Sequence, residues 1–213
     1  MFRIVHNRSV FIVIVLLLLL CGGKLYASSN SIDAIAPAVR SNNLPPIAAS
    51  SSEVSSPKII QAVSRRTHST AGTFYIDTLI PLAGTRVPIE CRTASPFTVN
   101  VVVTFDQPIQ CAGDCDPLDI QVSSGTIWDN PVITGQNTLD FEIYEPTNAG
   151  ILAISFPSIQ DLGGQAVADV LRFGLLGGDV TGDGRVNVFD LLAVKDKVNQ
   201  PVTASTFRRD VTG

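Results

Sequence analysis

Phe97-Thr-Val-Asn-Val-Val-Val-Thr-Phe105 decides the fold class. Phe97, Val99, Val101, Val103 and Phe105 fall on every second position, the period that sends alternate side chains to opposite faces of a strand. A helix would scatter the same five residues around its circumference. The stretch therefore predicts a strand with one apolar face, and such a face needs a second layer to cover it.

The segments on either side repeat the signal. Thr73–Ile80, Leu118–Val122, Gly125–Trp128, Leu139–Ile143, Ile151–Phe156 and Asp169–Leu175 are short runs with alternating or β-favouring residues. Asp106-Gln-Pro108, Asn130-Pro131, Thr134-Gly135, Asn148-Ala-Gly150 and Gly163-Gly164 supply turns between them. Short strands at this spacing predict a mainly β domain of sandwich type over residues 72–176. Val103-Thr-Phe-Asp-Gln-Pro-Ile109, followed later by Ile159-Gln-Asp-Leu-Gly-Gly164, resembles bacterial Ig-like domains of surface and secreted proteins. The resemblance implies an Ig-like β-sandwich.

Beyond that domain stands Asp179-Val-Thr-Gly-Asp-Gly-Arg-Val-Asn-Val-Phe-Asp190. Oxygen-bearing side chains occupy loop positions 1, 3, 5, 9 and 12, with glycine at position 6, which is the spacing of an EF-hand-type calcium loop. A hard cation needs six or more oxygens, and a short loop can wrap them around it. Asp179, Thr181 and Asp183 are expected to reach in from one side, Arg185 to offer its backbone carbonyl, Asn187 to bind directly or through water, and Asp190 to close the shell. Val186 is expected to turn away into a small core. Leu191–Asn199 reads as a short helix with Leu191, Val194 and Val198 on one stripe, ended by Pro201. The competing reading is an Asp-Gly turn before a helix, with Asn187 as N-cap and Asp190 as a first-turn acid.

Asp210-Val-Thr-Gly213 repeats Asp179-Val-Thr-Gly182. A loop and helix followed by the same opening is an internal repeat. Over residues 177–213 the chain resembles a type I dockerin, a tandem calcium loop–helix unit that docks onto cohesin domains. Asp179, Asp183, Asn187 and Asp190 match the family's ligand positions, and Thr181 stands where Asn or Asp is usual. Val188 and Phe189 occupy positions where many dockerins contact cohesin. The second copy stops at its fourth residue, so the resemblance implies a truncated module with one complete loop. It also implies Ca2+ as cofactor and a cohesin-like scaffold domain as partner.

The beginning of the chain reads as targeting sequence. Arg3 and Arg8 precede and flank an apolar run from Val10 to Leu20, and Leu25-Tyr-Ala27 offers a cleavage site. Residues 1–27 are expected to be a secretory signal peptide. The mature chain is then secreted, extracellular or at the cell surface, with no membrane span. Residues 28–71, rich in Ser, Ala and Pro, read as a flexible linker. Export permits disulfides among Cys91, Cys111 and Cys115: Cys111 with Cys115, or Cys91 with either.

The same composition excludes several functions. A net charge of −4 without a basic cluster argues against nucleic acid. With His6 in the leader and His68 in the linker, the folded region is left without the histidine that a Ser-His-Asp arrangement or a zinc site requires. No catalytic set emerges, and the expected class is a non-catalytic binding protein. A second calcium site at Asp114, Asp116 and Asp119, or a solvated acidic turn there, both fit. Trp128, Tyr144 and Tyr75 would make a sugar-stacking platform if they share an exposed face. A carbohydrate-binding module, or part of a dockerin-bearing polysaccharide-degrading enzyme, is the alternative function.

Overall fold

A computed structural model describes residues 55–80, 87–92 and 97–211. The expected signal peptide, residues 1–27, and the first part of the expected linker lie outside them. The described residues all belong to the unit Ser50–Gly213. Its elements are mainly strands. A five-stranded antiparallel sheet runs Gly72–Asp77 (β2), Ile59–His68 (β1), Thr98–Phe105 (β4), Thr138–Tyr144 (β8) and Val132–Thr134 (β7) in spatial order. A four-stranded sheet runs Ile89–Glu90 (β3), Leu171–Leu175 (β11), Gly150–Ser155 (β9) and Gln121–Val122 (β6). Only β3 and β11 pair in parallel among these. Ile109–Cys111 (β5) and Ile159–Asp161 (β10) form a short antiparallel pair.

The alternation of β4 is realised. Val99, Val101, Val103 and Phe105 are buried, and Thr98, Asn100, Val102 and Thr104 are half-exposed. In β8, Leu139, Phe141 and Ile143 point the same way. They meet Leu152 and Ile154 of β9 and Leu171, Phe173 and Leu175 of β11 in one apolar core. Each such side chain withdrawn from water contributes about 1.5–3 kcal/mol. The two sheets are thus held together by their inner faces.

The linker assignment fails for residues 59–68. They form β1, which pairs with β2 on one side and β4 on the other and so lies inside the sheet. The inward positions of β1 read Ala62, Ser64, Arg66 and His68; Ala62, Ser64 and His68 are buried, and Arg66 is half-buried and donates to the Arg92 carbonyl. Ser64, Arg66 and His68 are polar because they face a polar seam rather than the apolar core, so the hydrophobic alternation that marks a strand is absent.

That seam lies under the C-terminal part of the chain. Ile76, Ile89, Cys91 and Val180 form a second buried cluster, joined by Leu176, Ala193, Val194, Phe207 and Val211. The boundary expected at residues 176–177 is therefore crossed by a shared core. The Arg92 guanidinium is 1 % exposed and donates from Nη2 to Glu90 Oε2 at 2.7 Å and from Nε to Glu90 Oε1 at 2.9 Å. It also donates to the backbone oxygens of Ser64 and Phe74, and lies 5.5 Å from the Phe207 ring centre. Burial alone would raise the Glu90 carboxyl, but hydrogen bonds and the charge of Arg92 outweigh it and hold Glu90 below the ordinary range.

Cys111 and Cys115 form a disulfide, and Cys91 is a buried free thiol. Burial pushes the Cys91 thiol up to about 12, so it stays protonated and packs as a small apolar group.

Candidate metal centre

The loop from Asp179 follows directly on β11. Asp179 is fully buried, and its carboxylate collects the amides of its own loop. Oδ1 accepts from Gly182 N at 2.7 Å and Asp183 N at 3.1 Å, and Oδ2 accepts from Gly184 N at 2.8 Å. The chain can bend this tightly because Gly182 and Gly184 take φ of +74° and +83°, values that disfavour a side chain. Asp190 is 2 % exposed. Its Oδ1 accepts from Thr181 N and Oγ1, and its Oδ2 accepts from Asn187 N at 2.9 Å. Burial works to raise the Asp190 carboxyl, and the Thr181 and Asn187 hydrogen bonds more than reverse it, so the group lies below its ordinary value.

Oxygens of Asp179, Asp183 and Asp190 all lie within 4.8 Å of one another, the one such group of metal-ligating side chains among the described residues. Three carboxylates so close repel one another unless a cation or protons intervene. Asp179 Oδ2, Asp183 Oδ1 and Asp190 Oδ2 each accept one hydrogen bond among the described residues, which leaves each a lone pair. The donor set is all oxygen, the chemistry of a hard divalent cation.

The other expected ligands sit as follows. Thr181 is between Asp179 and Asp190, with its hydroxyl donating to Asp190 Oδ1 at 2.9 Å. Arg185 gives its amide to Asp183 Oδ1. Asn187 caps the helix Val188–Lys195 (α1): its Oδ1 accepts from Phe189 N, and Asp190 reciprocates on Asn187 N. Its Nδ2 approaches Asp183 Oδ2 at 3.4 Å. The capping-box geometry and the carboxylate cluster coexist, because Asp190 Oδ2 accepts only the Asn187 amide and keeps a lone pair, while Oδ1 takes both Thr181 donors.

Around the loop, three expectations need correction. Val186 does not enter a core; it is 55 % exposed. The helix begins three residues before Leu191 because the cap is Asn187. Its inward face is Ala193 and Val194, while Leu191 and Val198 are exposed. Val188 and Phe189 are 58 % and 68 % exposed at the start of the helix.

The acidic loop after Cys111 is occupied otherwise. Asp116 and Asp119 form the capping box of a short 3-10 turn, Pro117–Asp119.

Histidine also needs correction. His68 is not in a linker: it is 2 % exposed at the end of β1, with Nδ1 2.7 Å from Asp210 Oδ2 and its ring edge-on to Phe74 and Phe207. The folded region therefore does contain a histidine, His68. The pair fastens the C-terminal segment to the sheet. Sequence reasoning missed it because its partners are 142 residues apart.

No helix among the described residues is long and apolar enough to cross a membrane. No family model, curated protein or solved structure matches the chain.

Proposed function

We propose that this chain is an exported, non-catalytic attachment protein. An Ig-like β-sandwich carries an EF-hand-like, dockerin-type loop–helix unit that binds calcium and docks onto a cohesin-like scaffold domain. The observation that carries the reading is the convergence of Asp179, Asp183 and Asp190 at the head of a helix, with two of the three buried and held by loop amides. A bound calcium would supply the positive charge that this anionic cage lacks. Thr181, the Arg185 backbone and Asn187 are the remaining ligand positions of the loop. Val188 and Phe189, beside it and exposed, are the contact residues of the docking reading.

Titration calorimetry of the full chain with calcium chloride tests the metal. Saturable binding is expected, with a rise in thermal midpoint that a chelator reverses and that Asp179→Asn or Asp190→Asn removes. At free calcium of 100 times Kd the gain is about 2.7 kcal/mol. No heat and no shift at millimolar calcium would refute the reading. Docking is tested separately by capture on immobilised cohesin domains, which Phe189→Asp is expected to abolish.

A further inference from the structure

Where β1 and β4 part, the five-stranded sheet contains a polar cleft that the attachment reading leaves unused; Arg65, Asn100 and Glu142 reach it from the outer face, and Ser64 and Arg92 from the inner. β1 and β4 are paired only as far as Arg65 opposite Asn100. Beyond that rung they part, and a cleft of about 330 Å³ opens between Arg66 and Thr67 on one side and Thr98 on the other. Glu142 stands at its rim, and the Glu90–Arg92 pair lines it as well.

Aromatic residues neighbour the outer side of this cleft in the sheet register. Residues directly opposite in antiparallel strands share a face. Tyr75 of β2 is opposite Arg65 and is 53 % exposed. Tyr144 of β8 is opposite Thr98. Trp128 lies parallel on the Tyr144 ring at 4.9 Å and 12°, and is itself 66 % exposed. The stack is held in place: Tyr144 donates its hydroxyl to Asp129 Oδ2 at 2.8 Å, and Thr126 and Tyr144 exchange backbone hydrogen bonds. Gly125 permits that approach, since a Cβ there would come 2.7 Å from Tyr144 O. The row Tyr75, Arg65, Asn100, Glu142 crosses four strands, about 14 Å at the usual strand spacing.

Charge narrows the ligand. Arg65, Arg66 and Arg92 are balanced by Asp140, Glu90 and Glu142, and Arg65 is already bound to Asp140 at 2.8 Å. A balanced site has no long-range preference for an anion or a cation. It offers donors and acceptors close together, flanked by exposed ring faces. A neutral sugar chain has the matching chemistry, with hydroxyls for the polar groups and apolar C–H faces for the rings.

We propose that the cleft between β1 and β4, together with the neighbouring Tyr75 and Trp128–Tyr144 stack on the outer face, binds a neutral oligosaccharide. The site spans several sugar units and makes no use of the Asp179 loop, so binding is independent of calcium. Trp128 is the single tryptophan of the chain, and its fluorescence reports on the site directly.

The test titrates the full chain with cellohexaose, xylohexaose and mannohexaose, following Trp128 emission and, for variants, calorimetry. Saturable binding of at least one is expected, unchanged by chelator. Tyr75→Ala, Trp128→Ala and Glu142→Ala are each expected to weaken it roughly tenfold, with thermal midpoints near wild type because Tyr75 and Trp128 are exposed and Glu142 is half-exposed, outside the apolar core. The proposal is overturned by failure of all three sugars to bind, by any of the three variants binding like wild type, by loss of binding on chelation, or by tighter binding of anionic polygalacturonate than of the neutral chains. Chelation abolishes the calcium response in every case, so failure here and failure of the attachment reading are distinguishable.

Discussion

The inter-sheet core and the seam beneath the C-terminal unit bury side chains by opposite means. The first is apolar throughout: Val101, Val103, Leu139, Ile143 and Phe173 are fully buried, and none needs a specific partner. The second combines a small apolar cluster with buried Glu90, Arg92 and His68, each of which has a specific partner. Apolar burial is tolerant of detail because it scales with area. Buried charge is intolerant, because an unpaired ion in the interior costs several kcal/mol. The seam should therefore be the more fragile half per side chain removed.

Glu90→Leu puts the largest strain on that contrast. It leaves the Arg92 guanidinium buried without its carboxylate, and a loss of about 3–5 kcal/mol is expected in denaturant unfolding. An early separate transition in that variant would show that the seam opens before the sheets do. A single shifted transition would show one cooperative unit. Leu139→Ala probes the other half, with an expected loss of about 3 kcal/mol from lost transfer energy and the cavity left behind. If Leu139→Ala proves costlier than Glu90→Leu, the ranking of the two regions is reversed.

Acid should act mainly on the seam and the loop–helix unit over it. Glu90 and Asp190 both have carboxyls held below their ordinary range. Their contribution is complete above the unfolded carboxylate range of about 4 and is lost as pH falls through the depressed folded values. Thermal midpoints measured downward from pH 6 should decline only on entering that range, and Glu90→Gln should flatten part of the decline. Smallest of all is Leu191→Ser on the exposed face of α1, expected within about 0.5 kcal/mol of wild type. A larger loss would mean that this face packs against something.

The two copies of Asp-Val-Thr-Gly sharpen the same lesson. Val180 and Val211 join the same cluster. The carboxylates diverge: Asp179 gathers the amides of Gly182, Asp183 and Gly184, whereas Asp210 takes the His68 ring. Identical local residues acquire different partners because one copy is followed by a full loop and the other meets a strand from far upstream.

Much of the strand pattern was legible in the sequence, since β4 and β8 carry strict alternation and β9 and β11 follow their apolar runs. The cluster of Asp179, Asp183 and Asp190 was legible for the same kind of reason: all three lie within twelve residues, and glycines fix the path between them. β1 was not legible. Its inward Ser64 and His68 make sense only beside Arg92 and Asp210, which local sequence does not reveal. Spacing put Val194 on the packed stripe of α1, as found, but it could not show that Ala193 rather than Leu191 would join it, because that depends on which distant residues the helix meets. Neighbouring residues alone specify the strands with one apolar face and the oxygen-rich loop, because periodicity and short-range geometry are local properties. The order of the strands, the burial of Glu90, Arg92 and His68, and the meeting of Trp128 with Tyr144 are set by the packed fold. Those outcomes depend on pairings between distant residues, whose free energy appears only when the chain is folded around them.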